Sequence, residues 1–212
     1  MTDILFYDNH LLALVKPPML PTQTALSGDE NLEDRAKLWL RKETGKQGSI
    51  FLQPIHRLDK PASGIVLFAR SSKALARLNH AMRERQIHKT YFALVEGNLP
   101  SQEGTLEHCL RHGDFRAEIV AGEHQGGKKS LLFYKVLKTQ DRKTLLEIIL
   151  ATGRYHQIRA QLGAIGCPIV GDKKYGSHSS FKHPGIALHH GRLSFEHPVS
   201  KEEITLQSER GF

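Results

Sequence analysis

The sequence predicts an α+β fold, in which strands joined by hairpins are mixed with a few helices. Two observations favour this class. Apolar runs at 4–7 and 11–15 flank a short polar turn at Asp8-Asn9, and runs at 131–138 and 144–151 flank the turn TQDRK, which is short enough for an antiparallel hairpin. Helical periodicity does not alternate regularly with strands, as a βαβ winding would require. The 212 residues allow one large domain or two small ones, and we predict one domain over 1–212.

The N-terminal part predicts two helices around a central strand. In ENLEDRAKLWLRKETG the apolar residues recur at helical spacing, and Gly45 is a suitable C-cap. The segment GIVLFA at 64–69 is apolar on both faces, which is typical of a central strand. Ser71 or Ser72 then caps a second helix with Leu75, Leu78 and Met82 on one face.

The C-terminal part predicts further strands and one more helix. TYFALVEG at 90–97 has strand character, and the polar stretch after it predicts no element, with Gly126 to Lys129 as a hairpin turn rather than a phosphate loop. RYHQIRAQLGAIG places Ile158, Leu162 and Ile165 at i, i+4 and i+7, which predicts an amphipathic helix of about three turns.

The excess of basic over acidic side chains suggests a polyanionic partner. Lys and Arg number 30 against 22 Asp and Glu, so the formal net charge is +8. Between 151 and 195 there are six basic side chains and one acidic, Asp172. A solvated basic face and a nucleic-acid footprint both fit this pattern.

The sequence also predicts a cytoplasmic protein. Its two cysteines, Cys109 and Cys167, have no paired spacing, which suits a reducing compartment. The N-terminus has no basic region of a signal peptide and carries Asp3 and Asp8. No apolar run approaches the length of a membrane span, so we expect no membrane association.

The stretch HRLDKPASGIVLFAR raises a question about chemistry, because Arg57 and Asp59 stand just before the predicted central strand. They fit a structural ion pair at the end of a sheet. They also fit a carboxylate kept ionised by a guanidinium, ready to act as nucleophile or general base. The residues alone leave both interpretations open.

Two histidine groups are weaker candidates. His108 and His112 flank Cys109 in HCLRH, but no fourth ligand accompanies them, so we interpret the group as a coincidence in a loop and predict no metal site. His189 and His190 are compatible with a cleft position or with packing.

Several motifs together resemble the RluA family of pseudouridine synthases. They occur in that family's order along nearly the whole chain. The matching segments are ILFYDNHLLALVKPPMLPTQ (4–23), HRLDKPASG (56–64), KTYFALVEG (89–97), LATGRYHQIRAQLGAIGCPIVGDKKYG (150–176) and ALHHGRLSFEHP (187–198).

The resemblance implies a pseudouridine synthase fold: a mixed, mainly antiparallel sheet flanked by helices, with a central catalytic cleft. It also implies an isomerase that detaches uracil from C1′ of a uridine in RNA, rotates the base and rejoins it through C5, without cofactor or metal. Asp59 is then the catalytic carboxylate, Arg159 is the cation that keeps it ionised, and Tyr91 is the aromatic residue that stacks on the target base.

The remaining predicted site residues bind the RNA substrate. Arg57 occupies the space that the flipped uridine leaves, since a guanidinium plane stacks on bases. Arg154 meets phosphate near a helix N-terminus. The other members of this predicted RNA-binding set are His56, His156 and Gln157.

The chain departs from the family pattern at Ala62, where a threonine is usual, so one hydroxyl near the catalytic loop is missing. We also expect no N-terminal S4 module, so that RNA recognition rests on the catalytic domain, and we expect a monomer. Two other functions compete with this one: a catalytically silent RNA-binding or ribosome-assembly factor on the same fold, and a kinase-like phosphotransferase, whose metal ligands are missing from the sequence.

Overall fold

The computed structural model describes residues 3–24 and 30–212, which form eleven β-strands and three α-helices. The strands are β1 Ile4–Tyr7, β2 Leu11–Lys16, β3 Gln53–Pro54, β4 Ser63–Ala69, β5 His88–Glu96, β6 Glu103–His112, β7 Ala117–Val120, β8 Lys128–Gln140, β9 Lys143–Leu150, β10 Leu188–Glu196 and β11 Glu203–Gln207. The helices are α1 Leu32–Thr44, α2 Ser72–Arg83 and α3 Gln157–Ala164. The α+β class with mainly antiparallel strands is confirmed.

The chain divides into two compact units. The first comprises residues 1–88 and 190–210, and the second comprises residues 89–189 with 211–212. The boundaries fall within β5 and β10. The expectation of one catalytic domain stays a prediction.

In the first unit, β4 is a central strand, as its two apolar faces predict. Its neighbours are β2 and β10, and β1 and β11 lie outside them. The strand is buried from Gly64 to Ala69. Side chains of α2 pack on this sheet: Leu75, Leu78 and Met82 join a core that includes Ile65 and Phe195.

Both helices of the first unit begin at a capping residue, and α1 also ends at one. Asn31 caps α1 by accepting from the backbone N–H of Asp34, and Gly45 ends the helix at φ 67°. Ser71, one of the two predicted caps, accepts from the N–H of Ala74 at the start of α2.

The second unit is built on an antiparallel sheet in the order β5-β9-β8-β6-β7. The predicted hairpin at TQDRK is confirmed: β8 and β9 are joined by Asp141 and Arg142, whose φ values of 52° and 57° suit a two-residue turn. On β5, Tyr91, Ala93 and Val95 share one buried face.

Two expectations for the second unit were wrong. The polar stretch after β5 was predicted to hold no element, and HCLRH within it was interpreted as a loop, but the stretch contains β6 and β7, and HCLRH lies on β6. The strands were missed because charged residues interrupt their alternation of apolar and polar residues. Gly126 and Gly127 do not form a hairpin turn. They belong to the connection between β7 and β8, which are both paired with β6 and not with each other.

Helix α3 is shorter and more buried than the sequence suggests. It spans Gln157–Ala164, about two turns, and its residues 157–162 are all buried. The buried polar side chains are satisfied by hydrogen bonds; Gln161, for example, donates to the carbonyl oxygens of Leu106 and Ser130. The prediction of an amphipathic helix was wrong because buried polar residues with hydrogen-bond partners occupy the face that was expected to be solvated.

No helix within the described residues is both long enough and apolar enough to cross a membrane.

Candidate active site

The loop that carries Asp59 has its backbone fixed from a distant part of the chain. The buried hydroxyl of Thr22 donates to the carbonyl oxygen of Leu58 and accepts from the N–H of the same residue, both at 3.2 Å. The N–H of Ala62 donates to the carbonyl oxygen of Asp59 at 3.0 Å, which closes a tight turn. These bonds set the direction in which the chain leaves Asp59.

A buried ammonium group lies beneath this loop. Lys16, at the end of β2, is fully buried, and its Nζ donates to the carbonyl oxygens of Leu20 at 2.7 Å, Pro17 at 3.0 Å and Lys60 at 3.2 Å. Burial lowers the pKa of Lys16 to about 7, while the nearby carboxylate of Asp59 acts to raise it. Lys16 therefore interacts electrostatically with Asp59, and it donates a hydrogen bond to the backbone carbonyl of Lys60, the residue after Asp59.

His56 packs within the first unit. Its Nε2 accepts from the N–H of Leu67 at 3.4 Å, and its ring meets the ring of His190 edge-on at a centroid distance of 5.2 Å. The Nδ1 of His190 is 2.7 Å from the carbonyl oxygen of Ile65. These contacts place both imidazoles against the central strand β4.

Gly64, the last residue of the HRLDKPASG motif, allows the close approach on which that packing depends. Its φ is 116°, and a Cβ there would lie 2.4 Å from the carbonyl oxygen of His190. Only glycine fits this position. The adjoining motif residues differ in exposure: Arg57 is exposed and Asp59 is half-buried.

In the second unit, Tyr91 is buried on β5, directly opposite Ile148 of β9. Its side chain lies on the same face as Ala93 and Val95, which confirms the face predicted from the sequence. Its stacking on a target base stays a prediction.

Arg159, on α3, forms a two-point ion pair that the sequence analysis did not anticipate. Its Nε lies 2.6 Å from Oδ2 of Asp172 and its Nη2 lies 2.9 Å from Oδ1. Both side chains are almost fully buried, and the guanidinium also lies over the ring of Tyr175, 5.0 Å from its centroid. The carboxylate of Asp172 and this ring thus fix the plane of the Arg159 guanidinium.

His156 stands at the start of α3 with φ 51°, a left-handed conformation that is uncommon outside glycine. Its Nδ1 is 2.9 Å from the hydroxyl of Tyr175. Burial and the positive charges of Arg159 and Lys174 lower the pKa of His156 to about 3. The imidazole is therefore neutral near pH 7.

Gln157 fixes the turn before α3 through both ends of its amide. Its oxygen accepts from the hydroxyl of Thr152 at 2.8 Å and the N–H of Arg154 at 3.0 Å, and its nitrogen donates to the carbonyl oxygen of Leu131 at 3.1 Å. The exposed Arg154 donates from Nε to the carbonyl oxygen of Lys129 at 3.2 Å. These hydrogen bonds do not test the predicted contacts of Gln157 and Arg154 with RNA.

The predicted site residues thus fall into two groups, one in each unit. The first unit holds His56, Arg57 and Asp59. The second unit holds Tyr91, Arg154, His156, Gln157 and Arg159.

Sequence reasoning missed several residues that hold these groups, Thr22 among them. Lys16 was not singled out, although a lysine at the end of an apolar strand is itself a signal of a buried cation. Asp172 was visible as the single acidic residue in a basic stretch. Tyr175 gave no signal, because an isolated tyrosine in a loop has no distinctive spacing.

Solved structures define the fold class. The chain superposes on the structure titled Human RNA Pseudouridylate Synthase Domain Containing 4 with a TM-score of 0.80 and 22% identity, covering 98% of this chain and 88% of that one. It superposes on the structure titled Human RNA Pseudouridylate Synthase Domain Containing 1 with a TM-score of 0.79 and 22% identity, covering 100% of this chain and 84% of that one. The fold is therefore that of an RNA pseudouridylate synthase domain.

Sequence relatives then define the family. The family model described as RNA pseudouridylate synthase matches residues 10–164. Ribosomal large subunit pseudouridine synthase C of Rickettsia prowazekii is 31% identical over 216 residues, which cover 100% of this chain and 69% of the relative. Dual-specificity RNA pseudouridine synthase RluA of Pasteurella multocida is 32% identical over 216 residues, with coverage of 99% and 94%. The chain belongs to the RluA family of RNA pseudouridine synthases, which are isomerases.

Proposed function

We propose that this chain converts specific uridines of ribosomal RNA, transfer RNA or both into pseudouridine, with Asp59 as the catalytic carboxylate and the target base flipped out of its stack. The reaction breaks the bond between N1 and C1′ and forms a bond between C5 and C1′. A proton leaves C5 and one is gained at N1, so no atom or electron is added.

The observation that carries the proposal is the fixed backbone around Asp59. Thr22 holds Leu58 on one side of the carboxylate, and Lys16 binds the carbonyl of Lys60 on the other. A carboxylate that must attack or remove a proton benefits from such positioning, since a misplacement of about 1 Å costs roughly 100-fold in rate. The exposed Arg57, two residues earlier, suits the role of filling the space left by the flipped base.

Tyr91 and Arg159 complete the proposed chemistry from the second unit. The ring of Tyr91 stacks on the detached uracil, and Arg159 is the proposed counter-cation of the catalytic carboxylate. We propose on this basis that both units serve one catalytic domain.

The proposed substrates follow from charge and from the relatives. The net charge of +8 favours a polyanion. The Rickettsia relative is named for the ribosomal large subunit, and the Pasteurella relative is named as dual-specificity.

The direct test is a map of pseudouridine in RNA. Total RNA from a strain that lacks this protein is incubated with the purified chain without added metal or nucleotide. Pseudouridines are then located by selective chemical modification and reverse-transcription stops. We expect new pseudouridine at one or a few discrete uridines, which also carry it in the parent strain.

A different result would contradict the proposal. Binding to the RNA without any new pseudouridine would identify the chain as a catalytically silent RNA-binding or ribosome-assembly factor. Modification scattered over many uridines would contradict the specificity but not the chemistry.

A further inference from the structure

Three aromatic rings stack face to face at one edge of the second unit. The ring of His112, the last residue of β6, lies 4.1 Å from that of Tyr155 at an interplanar angle of 23°. Tyr155 in turn lies 3.9 Å from His156 at 20°. The column is therefore continuous from the neutral, partly buried His156 to the exposed His112.

The column is held in place by its surroundings. The N–H of Ala117, on the strand paired with β6, donates to the hydroxyl of Tyr175 at 2.8 Å, and Lys174 donates to the carbonyl oxygen of Phe115 at 2.8 Å. Ala117 and Tyr175 also pack in a small apolar cluster with Ala160 of α3. The hairpin that presents His112 is thus attached to the segment that supports His156.

Two rings of the column, those of Tyr155 and His112, are exposed to solvent. Tyr155 has 39% of its surface exposed, and His112 is exposed as well. Within residues 3–24 and 30–212, the only ring that stacks on His112 is that of Tyr155. The face of the His112 ring turned away from Tyr155 is therefore a surface on which another flat group can stack.

Positive charge accompanies the rings along the chain. Basic side chains flank them in sequence at Arg111, Arg116, Arg154, Lys173 and Lys174. Asp114 and Glu118 oppose them, and Glu118 is 2.7 Å from the guanidinium of Arg111. The combination of exposed stacked rings and excess basic residues is typical of surfaces that bind single-stranded nucleic acid.

We propose that the open face of His112, backed by Tyr155, is a stacking site for an unpaired base of the RNA substrate, separate from the catalytic residues. The proposal rests on the proposed function for the identity of its ligand. The site supplies affinity and positioning rather than chemistry. It tolerates any base, because every base has a π-face.

The test compares the affinity of variants for a 15-nucleotide oligouridine, measured by fluorescence anisotropy at pH 8, where ordinary histidine side chains are neutral. We expect His112→Ala to weaken binding by roughly 5- to 100-fold, and His112→Phe to restore it, because the ring is restored. The plot of log K against log salt concentration should keep its slope, since no phosphate contact is lost.

A matched control is available in the same unit. His124 is also an exposed histidine, and it precedes β8. His124→Ala should leave the affinity unchanged within twofold. Arg116→Gln tests a phosphate contact instead of a ring contact. Loss of one phosphate contact makes the slope of log K against log salt concentration shallower by about one.

The two proposals fail in different ways. His112→Ala is compared with the parent both for RNA affinity and for pseudouridine formation. An affinity within twofold of the parent would overturn the stacking site. An RNA-binding parent that makes no pseudouridine, but still loses affinity with His112→Ala, would overturn the proposed function and leave the stacking site standing. The stacking site is overturned if oligouridine does not bind the parent. It is also overturned if a peptide with aromatic side chains binds at His112 and oligouridine does not displace it.

Discussion

The two groups of site residues are fixed in different ways. Around Asp59, in the first unit, side chains from elsewhere hold the backbone of the loop: Thr22 binds both polar groups of Leu58, and Lys16 binds the carbonyl of Lys60. Around α3, in the second unit, the functional side chains are themselves held. Arg159 is paired with Asp172, and the amide of Gln157 is bound at both ends.

The difference reflects the kinds of side chain involved. An aspartate has a short side chain, so that fixing its backbone fixes most of its position. An arginine has a long side chain with several rotatable bonds, and its guanidinium is placed only if partners bind the group itself. The comparison predicts different consequences when each kind of support is removed.

The largest effect is expected at the pair of Arg159 and Asp172. Arg159→Met or Asp172→Leu alone leaves one buried charge without its counter-ion, and each should lower the free energy of unfolding by roughly 3–5 kcal/mol. The double variant buries no charge, so its loss should be much smaller than the sum of the two. Urea unfolding of the four proteins measures this coupling.

The double variant also separates stability from catalysis. It should fold and still make no pseudouridine, because the proposed cation is absent. If the double variant retained the single-turnover rate of the parent, Arg159 would have only a structural role, and Arg57 or Arg154 would become the candidate cation.

A smaller effect is expected at Lys16. Lys16→Met removes the donor beneath the loop, so the carbonyls of Leu20 and Lys60 lose a partner and Asp59 is positioned less well. We expect kcat to fall roughly 10- to 100-fold, with RNA affinity within a few fold of the parent. Lys42→Met, at an exposed lysine of α1, is the matched control and should change neither value. An unchanged kcat in Lys16→Met would show that Thr22 alone suffices to hold the loop.

The last effect, the smallest when counted per pH unit, is a dependence of stability on pH. The pKa of Lys16 is about 7 in the folded chain and near 10.5 when unfolded. Between these values the unfolded chain binds more protons, so the free energy of unfolding gains a contribution from Lys16 as pH rises from 7 to 10. Below pH 7 the group is protonated in both states, and the contribution is constant.

This dependence is measured as a difference between proteins. The free energy of unfolding of the parent minus that of Lys16→Met should rise with pH over this range by at most about 1.4 kcal/mol per pH unit. A difference that stays flat from pH 7 to 9.5 would indicate that the carbonyl acceptors and Asp59 keep the ammonium charged.

Much of the fold follows from local sequence signals. The strand β4, the hairpin of β8 and β9, and the caps at Ser71 and Gly45 were predicted because an apolar run, a short turn or a cap is encoded within a few residues. The strands β6 and β7 were missed because charges break their alternation, and their pairing depends on distant partners.

The site residues also divide into those with local sequence signals and those whose contacts depend on distant partners. Asp59, Tyr91 and Arg159 were singled out because their motifs resemble a family, and the shared face of Tyr91 followed from the period of a strand. The partners Asp172, Thr22 and Lys16 lie 13, 36 and 44 positions from the residues they bind. Contacts over such separations are set by the packing of elements, so the sequence alone did not predict them.

Asp59 is the residue on which the proposed isomerisation depends, and its replacement by asparagine is the decisive experiment. Asp59→Asn keeps the shape of the side chain but removes its charge. Single-turnover formation of pseudouridine is measured for the pure parent and the variant, together with RNA affinity. The account predicts no detectable pseudouridine from the variant, with affinity within a few fold of the parent because binding rests mainly on phosphate contacts. Measurable turnover by the pure variant would contradict the account.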